Sequence, residues 1–154
     1  APYLTLEHPI RLAHRGSRVL WPENTLEAFQ GAVDLGYRYI ETDVRITRDR
    51  VVVVFHDATL ERTTNGVGKV SEWLWEDLQH LDAGWTFRRD GDHPYRSRGV
   101  GISRLDEVME ELPQKPDGNT ELLGDRILVQ RFFTHGKMLY EQVLNKADRV
   151  FSRF

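Results

Sequence analysis

One strand–helix–strand run restricts what this chain can fold into more than any other feature. Ile10 to His14 reads as a short strand, and "SRVLWPENT" as the loop that follows. A helix comes next. Asn24 is its expected N-cap, Glu27 the capping-box partner three residues on, and Gly36 the expected C-cap. Leu26, Phe29 and Val33 recur at helical spacing inside it. Tyr37 to Thr47 then alternates with a period of two, which is strand patterning. Strand, helix and strand within about 35 residues make a βαβ unit and so a parallel sheet. Residues 48–50 form a turn, and 51–57 a further extended run. Its four consecutive valines, Val51 to Val54, disfavour a helix and suit a strand buried on both faces.

The rest of the chain is less regular. Residues 58–102 are rich in Gly, Trp, Arg and Asp, with one short helix expected around Ser71–Leu81, and read as an inserted segment. Trp73, Trp75, Trp85 and Phe87 suit the core of a small subdomain; the alternative is an entrance for an alcohol group or a lysolipid chain. Residues 103–112 are helical, with Leu105, Val108, Met109 and Leu112 on one side. "PQKPDGNT" breaks the chain, "RILVQRFF" suits a strand, and "GKMLYEQVLNKADRVF" a helix.

Composition narrows the function classes. A length of 154 residues favours one domain. The formal net charge of -3 offers no basic excess to neutralise nucleic-acid phosphates. No apolar run approaches the ~20 residues of a membrane span. "APYLTLEHPI" lacks a secretory pattern, and with no initial Met it reads as a processed or trimmed start. The chain has no Cys, which excludes disulfides, thiolate zinc sites and a Cys nucleophile. A cytoplasmic location is expected, with secretion or a periplasmic location left open.

Chemistry concentrates at strand ends. His14 and Arg15 close the first strand, and Gly16 follows at once. Glu41 and Asp43 are separated by one residue on a strand, so their carboxylates share a face. Acids at a buried position are costly unless paired or bound to a cation, and all-oxygen ligands suit Ca²⁺ or Mg²⁺. A solvated acidic strand face is the plainer alternative. His56 and Asp57 close the valine run. Two histidines at strand ends suit general acid and general base work. Arg15 carries a planar fork suited to a phosphate; a salt bridge to Glu23 or another acid is its structural alternative.

"AHRGS", "PENTLEAF", "YIETDVRITRD" and "VVVFHDATLERTTNGVG" occur here in one order, followed by "LDAGWTF" and "RGVGISRLDEV". In these motifs the chain resembles the glycerophosphodiester phosphodiesterase family over roughly residues 10–112. The resemblance implies an α/β fold of the TIM-type barrel family, with 58–102 as an inserted subdomain and catalytic groups at the C-terminal ends of strands. It implies His14 and His56 as the acid/base pair, Arg15 as the phosphate clamp, and Glu41 and Asp43 as ligands of a divalent cation, Ca²⁺ or Mg²⁺. Glu23 and Asn24 match the family's "PENT" turn and are read as structural, through helix capping. The implied reaction hydrolyses a glycerol 3-phosphodiester to glycerol 3-phosphate and an alcohol, and the implied small-molecule partner is a glycerophosphodiester or a lysophospholipid.

The family pattern stops short of the end of the chain. A closed barrel takes ~250 residues, and without the insertion roughly 110 remain, enough for about three or four βα units. The third metal ligand expected after the "LDEV" helix has only Glu121 as a counterpart. Residues 113–154 depart from the family pattern and look more like a later strand–helix–strand portion of the barrel. If the chain is complete, its open strand edges call for a partner copy or a swapped element. The alternative to an enzyme is an inactive or truncated member that binds phosphodiesters or a protein. A phospholipase D of the spider-toxin type is disfavoured by the absence of Cys.

Overall fold

In a computed structural model, placement is described for residues 11–37 and 39–112 and for the backbone of 127–132. The elements in chain order are β1 (Leu12–His14), α1 (Leu26–Asp34), β2 (Tyr39–Ile46), β3 (Val52–Val54), a 3₁₀ turn (Val70–Glu72), α2 (Trp75–Leu78), α3 (Leu105–Glu111) and β4 (Ile127–Phe132). They form a mixed α/β arrangement around one four-stranded sheet.

The helix start differs from expectation by one residue. Thr25 is the N-cap of α1, with its hydroxyl accepting from the Ala28 N–H at 3.2 Å. Glu27 therefore falls one place short of the position a capping box needs. Asn24 is drawn away because its backbone is left-handed, at φ 57°, and its side-chain oxygen accepts from the Thr42 hydroxyl at 2.8 Å. Asn24 thus ties the loop to β2 rather than capping the helix. At the other end Leu35 is the C-cap and Gly36 follows at φ 84°. The N–H groups of Gly36 and Tyr37 bond back to Val33 and Ala32, which closes the last turn as a Schellman motif.

β1 and β2 run parallel, as the βαβ reading expects, with His14 opposite Glu41. β3 is buried throughout, as four valines suggest, yet it is antiparallel to β2, with Val54 opposite Val44. A valine run reports burial and carries no information on direction. The hairpin turn is short and self-bonded: Thr47 N–H donates to the Val51 carbonyl at 3.0 Å, and Val51 N–H donates to the Thr47 hydroxyl at 2.9 Å. β4 runs parallel to β2, from Ile40 opposite Ile127 to Val44 opposite Phe132. It takes the place directly beside β2, whereas the sequence of this stretch looks like a later portion. The helix expected after it lies outside the described residues.

Because β4 fills one edge of β2, β1 and β3 must share the other. Their chains arrive from opposite directions. The Arg15 N–H donates to the Glu41 carbonyl at 2.8 Å, and the Phe55 N–H to the Asp43 carbonyl at 2.9 Å. The ends of β1 and β3 therefore face each other across two residues of β2.

Two apolar clusters hold this geometry. One packs Phe29 and Ala32 of α1 on Ala13, Ile40 and Val54 of the sheet, with Val108 and Leu112 closing it from α3. The other joins Val53 and Phe55 to Leu60, Val70, Leu78, Val100 and Ile102. Trp73 and Trp75 pack against this second cluster, so they serve as core. Trp85 is exposed and stacks under Arg96 at 4.6 Å, while Phe87 meets Tyr95 edge-on.

Gly16 fixes where β1 can end. It sits at φ 76°, and a Cβ there would lie 2.6 Å from the Ala28 carbonyl carbon. Gly16→Ala is expected to destabilise the fold by about 2–4 kcal/mol, from left-handed strain plus overlap with helix backbone. Urea unfolding checks this; a loss under about 1 kcal/mol would contradict it.

Candidate active site

The pleat of β2 sorts its side chains. Ile40 joins the α1 cluster and Thr42 bonds to Asn24 on that face, so Glu41 and Asp43 point the other way. Both are nearly inaccessible, at 1% and 2% exposure. Glu41 Oε2 accepts from the Arg15 N–H at 3.2 Å and lies 3.6 Å from His14 Nε2. His14 is half-exposed on the same side. Arg15 is buried, at φ 54°, with Nε 3.0 Å from Asp43 Oδ2 and Nη1 donating to Glu23 Oε1 at 2.9 Å. Its left-handed backbone turns the side chain from the β1 line towards Asp43 and Glu23.

His56 enters from β3. Its carbonyl accepts from Arg45 Nε at 3.0 Å, which fixes the backbone against β2. Its ring Nδ1 meets Asp57 Oδ1 at 2.5 Å. A carboxylate only accepts, so Nδ1 carries a proton and donates to Asp57, and Nε2 is the ring nitrogen left for other partners. Asp57 is gripped in turn by Arg62, and Arg62 also grips Glu23. The result is one continuous ladder of charges: Asp43, Arg15, Glu23, Arg62, Asp57, His56.

The ladder sets protonation. Burial opposes the charge on Glu23, but the Arg62 and Arg15 guanidiniums outweigh it and hold its carboxyl below the usual range. Burial likewise opposes the charge on Asp57, and Arg62 together with His56 brings it down to about 2. Arg62 is correspondingly raised by its two carboxylates. Glu41 goes the other way: burial and the neighbouring Asp43 push its carboxyl up.

Glu41 Oε1 and Asp43 Oδ2 are buried with no hydrogen-bond donor among the described residues. Arg15 Nε stands close to Asp43 Oδ2 but is misdirected for a bond. Buried carboxylate oxygens without donors cost about 1–3 kcal/mol or more each, and a hard cation would relieve that cost. The donor set therefore fits a divalent cation in type. Among the described residues no group of three or more His, Asp or Glu is placed to hold one. Glu121, the weak third ligand, lies outside them.

A cavity of about 450 Å³ opens beside the ladder, lined by Arg15, Glu23, His56, Arg62, Phe87 and Arg88 among others. His14, Glu41 and Asp43 are not part of its lining. The structure thus joins His14 to Glu41 and Arg15 to Asp43 directly, and joins His56 to them through the ladder. The salt-bridge alternative for Arg15 is realised with Glu23 and Asp43. Arg15 Nη2 has no bond among the described residues. Glu23 departs from the capping reading, because it bonds to two guanidiniums and caps nothing. Arg62 carries no signal in any local periodicity: it pairs with Glu23 39 positions away.

The sequence profile of the Glycerophosphoryl diester phosphodiesterase family matches residues 14–136. A glycerophosphodiester phosphodiesterase of Caldanaerobacter subterraneus is 36% identical over 144 residues, covering 93% of this chain and 52% of that protein. The chain thus spans about half the length of that relative. Among solved structures, a glycerophosphodiester phosphodiesterase of Agrobacterium tumefaciens superposes with a TM-score of 0.60 at 42% identity, over 66% of this chain and 41% of that one. A phosphodiesterase of Oleispira antarctica, solved with the product sn-glycerol-3-phosphate, superposes with a TM-score of 0.59 at 36% identity, over 66% and 39%. By these matches over most of its length, the chain belongs to the glycerophosphodiester phosphodiesterase family.

Proposed function

We propose that this chain carries the proton-transfer and phosphate-binding residues of a phosphodiesterase that converts glycerophosphodiesters to glycerol 3-phosphate and an alcohol. The observation that supports this most is the convergence of the β1 and β3 ends on Glu41 and Asp43. It brings His14 and Arg15 at the end of β1, and the backbone just before His56 at the end of β3, beside the donor-poor carboxylates Glu41 and Asp43. We read the sheet as one side of a TIM-type barrel in a single domain, with chemistry at the C-terminal strand ends.

The chemistry follows from what each group can do. One of His14 and His56 takes the proton from the glycerol hydroxyl next to the phosphate. That oxygen attacks phosphorus, and the other imidazole gives its proton to the departing alcohol. Water then opens the cyclic phosphate with the two roles exchanged. His56 Nε2, the nitrogen not held by Asp57, is the atom that exchanges protons on its side. Arg15, bonded through Nη1 to Glu23 and lying against Asp43, offers Nη2 to a phosphate oxygen. Glu41 and Asp43 would hold a divalent cation, Ca²⁺ or Mg²⁺, which supplies charge neutralisation at phosphorus when bound.

The test is direct. The chain is incubated with glycerophosphocholine and Ca²⁺ or Mg²⁺, and phosphorus NMR follows the product. Accumulation of glycerol 3-phosphate is expected. Saturable binding of the diester with no turnover would overturn the enzymatic reading and favour a phosphodiester-binding module.

A further inference from the structure

Among the described residues, Arg62 bridges the Glu23 and Asp57 halves of the ladder. Its Nη1 and Nη2 donate to the two oxygens of Glu23 at 3.0 and 2.6 Å. Its Nε and Nη2 donate to the two oxygens of Asp57 at 2.5 and 3.2 Å. Each carboxylate is thus held by a two-point fork, and three guanidinium nitrogens share the four bonds. Glu23 passes this constraint to Arg15, and Asp57 passes it to His56. Glu23 is nearly buried, so its orientation is set by these two cations and not by solvent.

Surface ion pairs contribute little stability, and Arg62 is 46% exposed. Its geometry is better suited to orientation. A planar guanidinium that satisfies two carboxylates fixes the angle between them, which a point charge does not. The angle matters here because one carboxylate sets the His56 tautomer and the other sets where Arg15 points.

We infer that Arg62 is a positioning residue, whose double fork keeps the His56 ring in the tautomer with a free Nε2 and aims Arg15 into the cavity. The inference rests on the proposed phosphodiesterase reading for its kinetic consequence and on the ion ladder alone for its structural one. Arg62 touches neither a carboxylate that would hold the cation nor, in this geometry, the reacting atoms.

The experiment compares the full chain with Arg62→Ala and Arg62→Lys. Nitrogen NMR of the imidazole rings reads the His56 tautomer, and steady-state kinetics reads kcat and KM. In the unaltered chain His56 is expected to show one protonated Nδ1 and one bare Nε2. In Arg62→Ala the two ring nitrogens are expected to average towards a mixed tautomer. In the same variant kcat should fall by about 10–100-fold and KM should rise, as with other outer partners of a site. Arg62→Lys keeps the charge, so it should restore most of any lost thermal stability but not the tautomer. An unchanged His56 tautomer in either variant would overturn the inference. So would a kcat within about threefold of the unaltered chain. If the unaltered chain hydrolyses no diester, the functional reading fails, and the tautomer readout still decides for or against Arg62. If Arg62→Ala does not fold, Arg62→Lys carries the same decision.

Discussion

Replacing His56 with Ala is expected to lower kcat for glycerophosphodiester hydrolysis by about 10²- to 10⁴-fold, the span of a lost general acid or base. The argument rests on placement. Nδ1 is committed to Asp57, Arg62 holds Asp57 in turn, and His56 lines the cavity, so Nε2 is the ring nitrogen available for proton exchange. The side chain is about one quarter exposed and packs into no apolar cluster, so its loss leaves the fold nearly unaffected. His14→Ala is expected to fall in the same range, because His14 stands at the end of β1 beside Glu41. Rates and urea unfolding curves for both variants check this. A loss under about tenfold in either, with the fold intact, would remove that histidine from proton transfer.

Chelation is expected to have the second largest effect. Glu41 and Asp43 present buried oxygens without donors, and Glu41 is pushed towards its neutral form by burial and by Asp43. A divalent cation is the partner that makes two adjacent buried carboxylates tolerable. Removing it with EDTA should cut hydrolysis on the order of 10³-fold, as expected where several kcal/mol of charge stabilisation are lost. Excess Ca²⁺ or Mg²⁺ should restore the rate. Glu41→Gln should weaken cation binding by calorimetry as well. Full activity in EDTA would overturn the assignment of Glu41 and Asp43.

The groups at the strand ends were legible because strand and helix periods locate ends well. Alternation over 37–47 placed Glu41 and Asp43 on one face, and the run of four valines predicted the buried strand that Val52 to Val54 form. What stayed hidden is what no local pattern encodes. The direction of β3 depends on the 47–51 turn and not on its valines. The cap of α1 moved to Thr25 because Asn24 was drawn to Thr42 across 18 positions. Arg62 and Glu23 found each other across the fold, so their roles became visible only in three dimensions. A trace was present in the sequence: Glu23 stood out as a partner for Arg15, and Asp57 sits next to His56. Nothing local joined those two pairs through Arg62.

The shared edge of β2 also sets an order of assembly. Arg45 and the His56 carbonyl are 11 positions apart, across a hairpin that closes with little entropy. Arg15 and Glu41 are 26 apart, and α1 must form between them before β1 can dock. The Arg62–Glu23 link spans 39 positions and joins two segments that are both already placed. Closing a longer loop costs more entropy. On that ground alone the half of the site with His56 is expected to close before the ladder that ties it to Arg15.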